Sequence, residues 1–562
     1  MSARAWFIDG RRSAGPAVPP ALVAVLFFST VFFSAAGLAQ DSCRPAASAP
    51  AAARERLDPA ALAAKIDEVF SNDWQASQVN VTPPADDAEF LRRVYLDVAG
   101  KIPSVAEARA FLDDNRPDKR RRLIEDLVNR GSFAAHFANV WRDLLLPGAN
   151  MNLETRGLAG PFETWLRVRF AANVPYDQLV AELITARLAA PAQPNPLQRT
   201  LAAPSPGAFF QVNENKPENL AANTSRIFLG MQVQCAQCHD HPFSHWRRDE
   251  FWALAAFFGN LQASAPDDDA AGAAVQVSVA GGSLKIKVPE TELVVEAKFL
   301  DGSPPRLRAG EDPRLALSRW ITGRENPYFA RAAVNRLWDH FFGRGFVDPV
   351  DDLDERNPPA HPELFDEVAR QFVAHDYDLK YLIRAIALTR AYQLSSRTEG
   401  GSQSELDHFA RMPLKRMTPE QLYDSLVQAT GFRDNNTTQQ PLNPFGDDSV
   451  RNQFLAKFSD QSARRSEAQT SIPQALSLMN GVFMNDATSL ERSQIMSAII
   501  ELPVLDTAGR IETLCLATLT RRPDAEESKL LVEYVQQSAD EKEALADVFW
   551  VLLNSAEFIF NH

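Results

Sequence analysis

Phe90-Leu91-Arg92-Arg93-Val94-Tyr95-Leu96-Asp97-Val98 is the stretch whose reading decides the fold. Its apolar residues Phe90, Leu91, Val94, Tyr95 and Val98 recur at helix spacing, so they share one helix face. The same periodicity returns in Phe133, Phe137, Val140, Trp141 and Leu144. Start signals accompany it. Asp58-Pro59 is an N-cap followed by proline at the first helical position. Ser104-Val105-Ala106-Glu107 and Thr418-Pro419-Glu420-Gln421 are capping boxes. The pattern predicts helices over 220–230 and 252–258, then over 315–321, 330–342, 362–374, 379–392, 472–483, 490–500, 511–519, 525–537 and 541–553. The expected fold is mainly α.

One stretch reads as sheet. Val275-Gln276-Val277-Ser278-Val279 and Leu284-Lys285-Ile286-Lys287-Val288 alternate around Gly281-Gly282, a hairpin with a permissive turn. A third strand is expected within 292–299, and Asp267-Asp268-Asp269 marks the linker in front. This small antiparallel β unit with its linker, residues 263–311, is expected to separate helical domains over 57–262 and 312–562. Two polar stretches, 189–217 and 435–469, read as irregular. A length of 562 residues with 45% hydrophobic content allows two or three cores.

Arg4, Arg11 and Arg12 precede an apolar run over 21–36, and Gly37-Leu38-Ala39 places small residues before a cut. That layout predicts a secretory signal over 1–39, since the apolar run is short for a spanning helix. Residues 40–56 then form an Ala/Pro-rich flexible tether. The mature chain is expected to be exported, periplasmic or secreted in a bacterium, with no stable membrane span after cleavage. Losing Arg4, Arg11, Arg12 and Asp9 takes the net charge from −14 to −16. So acidic a surface excludes nucleic acid and anionic membrane as partners. Cys43 and Cys515 stand alone, which excludes a disulfide-stapled scaffold.

Chemistry concentrates in Cys235-Ala236-Gln237-Cys238-His239-Asp240-His241-Pro242-Phe243-Ser244-His245. Cys-x-x-Cys-His is the attachment signature of c-type haem: Cys235 and Cys238 form thioethers to one porphyrin, and His239 becomes the proximal iron ligand. Haem c is attached outside the cytoplasm, so the compartment agrees. The expected role is electron transfer or another redox function with an unknown redox partner. His241 and Met231 lie too near to reach the opposite ring face. Met479, Met484, His340 and His562 remain as candidate sixth ligands, or the position is open. Two alternatives stay open. Cys235, Cys238, His241 and His245 also spell C-x2-C-x2-H-x3-H, a ligand set for zinc, copper or iron in a secreted metalloenzyme. The two cysteines alone would serve as a dithiol or a disulfide loop.

Asp348, Asp351, Asp352, Asp354 and Glu355 crowd five carboxylates into eight positions, either a calcium loop or a solvated acidic turn. Arg331, Asn335 and Arg336 on neighbouring helical turns are expected to pair with it. His340, among Trp338, Phe341 and Phe342, reads as a hydrogen-bonded core histidine. No Gly-x-Ser-x-Gly, Walker A or dinucleotide fingerprint occurs.

Several stretches carry a family resemblance: Leu91 to Asp97, Phe228-Leu229-Gly230, Gln234 to Phe243, and Trp252 to Phe258 in the first half. In the second half they are Asn326 to Arg331, Val334 to Trp338, Gly343 to Asp352, and the ending Leu553 to His562. The first half resembles the planctomycete cytochrome-like domain. The second resembles its C-terminal companion; these are bacterial domains of unknown function 1549 and 1553. The resemblance implies a haem at Cys235, Cys238 and His239. It implies no defined reaction. Larger relatives carry an additional cytochrome-type module for which this chain has no room, so a single haem is expected.

Overall fold

Helices begin where the caps place them. In the computed structural model, Asp58 accepts from the Ala61 amide at 2.8 Å and Pro59 opens the helix Pro59–Ala76. Ser104 and Glu107 bond reciprocally at the start of Val105–Leu112, as Thr418 and Gln421 do at the start of Pro419–Thr430. The structure describes residues 55–148, 153–187, 204–264, 277–280, 283–308, 310–397, 403–432, 450–458, 479, 481–490 and 492–562. The signal over 1–39, nearly all of the 40–56 tether, Asp267 to Asp269 and the Gly281-Gly282 turn lie outside them. Most of the helix expected over 472–483 lies outside them as well. The fold is mainly α. Among the described residues no helix is long and apolar enough to cross a membrane.

The opening stretch forms the helix Asp87–Val94, prolonged by a π-helical turn Tyr95–Ala99 and closed at Gly100 with φ +75°. Phe90, Leu91, Val94, Tyr95 and Val98 are buried, as their spacing predicts. Glu89, Arg92, Arg93 and Asp97, on the remaining faces, are buried too. Apolar on one face and ionic on the others, the helix is enclosed all round, which buried charge permits only when fully bonded. Arg92 donates to the carbonyls of Thr518 (2.9 Å) and Phe558 (2.6 Å). Burial pushes its pKa down to about 10, which leaves it cationic at neutral pH. Arg93 donates to the carbonyls of Tyr392 (2.7 Å), Leu394 (2.8 Å) and His562 (3.2 Å) and pairs with Glu89 at 2.7 Å.

Burial alone would raise the Glu89 carboxyl. Arg93, with the Ser396 amide and the hydroxyls of Ser395 and Ser396, outweighs burial and holds it below 4.5. A carboxyl depressed by folding stabilises fully above its unfolded pKa, and that contribution is lost as pH falls through the lower folded value. The wild type should therefore lose part of its stability below about pH 4.5. Glu89→Gln should show a shallower acid limb, read as melting temperature between pH 6 and pH 3. An identical limb in the variant would sink this assignment.

Three strands form the β unit: β1 (Val277–Ala280), β2 (Ser283–Lys287) and β3 (Val294–Glu296), antiparallel in that order. Val277 faces Ile286, and Ile286 faces Val295. Leu284 and Ile286 point into the core, while Lys285 and Lys287 point outward to Glu296 and Glu292. Two short strands, β4 (Lys415–Arg416) and β5 (Phe560–Asn561), pair antiparallel and tie the end of the chain to its middle.

The apolar cores do not divide at the β unit. One core runs from Leu62 to Met412 and takes in the β unit and the helices on both sides of it. A second collects residues from Met417 to Ile559 and borrows Leu96 and Ile102, just as the first borrows Leu516. Residues 56–562 form one compact unit. The polar stretch 435–469 holds a helix, Val450–Phe458, contrary to the irregular reading. Phe454, Leu455 and Phe458 bury there, with Phe454 against Tyr423 at 5.4 Å. The three that bury sit together at one end of a single short helix, too few to show against a polar background. Likewise 189–217 includes the short helix Ala208–Val212, whose Phe209 and Phe210 are buried.

Gly345 marks a place where backbone meets side chain closely. A Cβ there would collide with Asn335 Oδ1 and lie 2.6 Å from the Val347 carbonyl. Asn335 is buried and bonds both backbone groups of Val347, at 2.8 and 3.0 Å. Gly345→Ala should cost roughly 1–3 kcal/mol, the usual range for overpacking. An unchanged thermal midpoint would contradict this reading.

Candidate functional site

The helix Pro217–Thr224 and the π-helical turn Ser225–Leu229 deliver the chain to Gly230, whose φ is +67°. Leu353 packs where a Gly230 Cβ would be, and its amide donates to the Gly230 carbonyl at 2.8 Å. Met231 and Val233 then turn inward, and a 3-10 turn Gln234–Gln237 follows. Ala236 is buried beneath this turn, which leaves Cys235 and Cys238 exposed as free thiols. The Trp252 indole donates to the Gln237 carbonyl at 3.0 Å and anchors the turn on the helix Arg248–Ala255. Cys515 contrasts with both. It is buried in the second core, where burial pushes its thiol up to about 12 and keeps it inert.

The histidines differ in tautomer. His239 is exposed, and its Nδ1 lies 2.7 Å from the Asp240 carbonyl. A carbonyl only accepts, so Nδ1 carries the hydrogen, and in the neutral ring the unshared pair is on Nε2. His241 is the reverse: its Nδ1 accepts from the Phe243 amide at 3.2 Å, which leaves Nε2 as a donor. The His245 ring packs on Trp246 at 4.2 Å. Among the described residues, no three His, Cys, Asp or Glu side chains converge as a metal-ligand group. Cys235, Cys238, His241 and His245 are therefore adjacent in sequence without closing on one point. Phe243 stands 73% exposed beside the turn.

The loop is braced from the second half of the chain. Ser244 donates to Asp354 at 3.0 Å. Burial works against ionisation of Asp354, but the Arg356 amide and that hydroxyl prevail and lower its pKa. Asp351 takes Arg226 at 2.9 Å and also pairs with Arg336. Arg336 and Asn335 thus engage the acidic loop as expected, Asn335 through the Val350 carbonyl at 3.2 Å. Arg331 does not; it pairs with Asp366.

The candidate sixth ligands lie at separate places in the fold. His340 Nε2 bonds the Asp97 carbonyl at 2.9 Å, the core histidine expected. Met484 is buried in the second core, and Met479 lies where its carbonyl accepts from Trp550. His562 is held at Arg93 through its carbonyl. What sequence reading missed is the ionic cluster under the Asp87–Val94 helix. Asp97 there takes Lys415 (2.8 Å), Tyr392 (3.0 Å) and Asn561 (2.8 Å). The available signal was Arg92-Arg93 set inside an apolar helical stripe.

Two family models match the chain. Residues 65–263 match PSCyt2, a protein of unknown function (DUF1549), and residues 313–535 match PSD1, a protein of unknown function (DUF1553). The matched segments flank the β unit. No curated protein and no solved structure matches. With the Cys-x-x-Cys-His turn in the first segment and its bracing loop in the second, the chain belongs to the proteins that join a PSCyt2 domain to a PSD1 domain in that order.

Proposed function

We propose that this is an exported protein carrying one c-type haem, bound covalently by Cys235 and Cys238 with His239 as proximal ligand, and serving electron transfer or a related redox role. The observation that carries the reading is the His239 tautomer. Its Nδ1–H is spent on the Asp240 carbonyl, so the ring is oriented and Nε2 is left for iron. Both thiols are exposed on the same turn, as attachment of a macrocycle from outside requires. His241, the histidine a non-haem set would recruit, has its Nδ1 pair already engaged. A bound haem would supply one-electron chemistry. This chain's own groups hold the turn rigid: Trp252 from below, Asp354 through Ser244 from the side, and Asp240, which accepts from the Arg248 amide at 2.9 Å.

Co-expression of the full chain with a cytochrome c maturation system tests the proposal. The purified protein should show a Soret band and keep its haem through denaturation. A colourless protein holding stoichiometric zinc, copper or iron would replace it with the non-haem reading.

A further inference from the structure

A cleft of about 1060 Å³ opens where the residues leading into the Asp87–Val94 helix meet those around Arg397 and Arg411 and the stretch 556–562. It shares no residue with the Cys-His turn. Its charges balance in sign: Asp86, Asp87, Asp524 and Glu557 against Arg397, Arg411, Arg521 and Arg522. The two signs differ in what they have already bonded.

Each carboxylate is already bonded through at least one oxygen. Asp86 caps the Glu89 amide at 2.8 Å, and Asp524 caps the Glu527 amide at 2.8 Å. Asp87 pairs with Lys119 (2.6 Å) and Arg120 (2.8 Å). Glu557 receives two bonds from Arg521, at 2.6 and 2.9 Å. Arg521 is further committed to Glu527, and Arg522 to Asp113 and Glu512.

Arg411 and Arg397 keep donors in reserve. Arg411 uses only Nε, on Glu405 at 2.9 Å, and neither Nη atom has a partner among the described residues. Its side chain is 13% exposed, and it lines this cleft. Arg397 touches Asp86 through Nη1 at 3.4 Å, and its Nε and Nη2 have no partner among the described residues. The His562 imidazole lines the same cleft. Burial, reinforced by Arg92, lowers its pKa to about 4, so it adds polarity there without charge. Leu112, Leu414 and Phe560 supply an apolar wall.

We propose that this cleft binds an organic carboxylate, its carboxyl group taken by the unused donors of Arg411 and Arg397 and its apolar body laid against Leu112, Leu414 and Phe560. A guanidinium fork matches a carboxylate in two parallel hydrogen bonds. The size is that of a small-molecule site with a few convergent polar groups. The four rim carboxylates favour the less highly charged anion. A single negative charge is met by two free forks, whereas a doubly charged phosphate also meets the acidic rim.

Calorimetric titration of the full chain with sodium octanoate, octyl phosphate and octanol tests this. Octanoate should bind saturably and more tightly than the other two. Arg397→Gln alters an exposed side chain, and Arg411→Lys keeps a charge beside Glu405 while removing the fork. Each should weaken octanoate by about tenfold or more, the equivalent of 1.4 kcal/mol, with the melting temperature unchanged. Absent octanoate binding overturns the proposal, as does octanoate binding that neither variant alters. Equal octanol binding makes the cleft merely apolar, and tighter octyl phosphate binding makes it a phosphate site; either result also overturns the assignment.

Discussion

Lys415→Met is expected to destabilise the protein by about 3–5 kcal/mol, the cost of stranding a buried charge. Lys415 is 1% exposed and Asp97 is wholly buried, with Nζ 2.8 Å from the Asp97 carboxylate. The same ammonium donates to the carbonyls of His340 (3.0 Å) and Phe341 (2.6 Å). Without it Asp97 keeps Tyr392 and Asn561, two neutral donors for a full charge. Burial and the Asp97 charge hold the Tyr392 hydroxyl protonated, so that donor persists. A loss of this size is a large fraction of ordinary domain stability, and the variant should melt many degrees lower or accumulate poorly. Asp97→Asn combined with Lys415→Met removes both charges and should recover part of the loss. A single variant that melts like the wild type would show that the pair carries no weight.

The second large effect concerns the Cys-x-x-Cys-His turn. On the proposed reading, Cys235→Ser with Cys238→Ser abolishes covalent haem, because no thiol remains to form a thioether. Cys238→Ser alone leaves at most one thioether and sharply lowers the yield. His239→Ala should keep attached haem but change its visible spectrum through loss of the proximal ligand. His241→Asn should leave the spectrum as it was, since the His241 Nδ1 pair already serves the Phe243 amide. If His241→Asn instead strips a bound metal that His239→Ala retains, the turn is a non-haem site.

Residues that act on their neighbours were legible from the start. A cap bonds three residues away, a hairpin registers against the next strand, and Cys-x-x-Cys-His is a local spacing. So the helix starts at Asp58, Ser104 and Thr418, the β1–β2 pairing and the candidate haem turn could all be located by reading along the chain. The tautomers of His239 and His241 could not, because they depend on which backbone group each ring meets. Nor could the helix Val450–Phe458, which buries only Phe454, Leu455 and Phe458 and is set in polar surroundings.

The sequence by itself determined the helical class of 90–98 and the apolar face made by Phe90, Leu91, Val94, Tyr95 and Val98, because helix periodicity is a property of nearest turns. Only the tertiary structure decided that the charged faces are buried as well. Burying an arginine requires acceptors, and Arg92 finds one in the Thr518 carbonyl, 426 residues further along the chain. The same holds for the extent of the cores. Local patterning marks the β unit as a divider, but Leu284 and Ile286 lose more water-exposed area by joining the helices on both sides than by forming a core of their own.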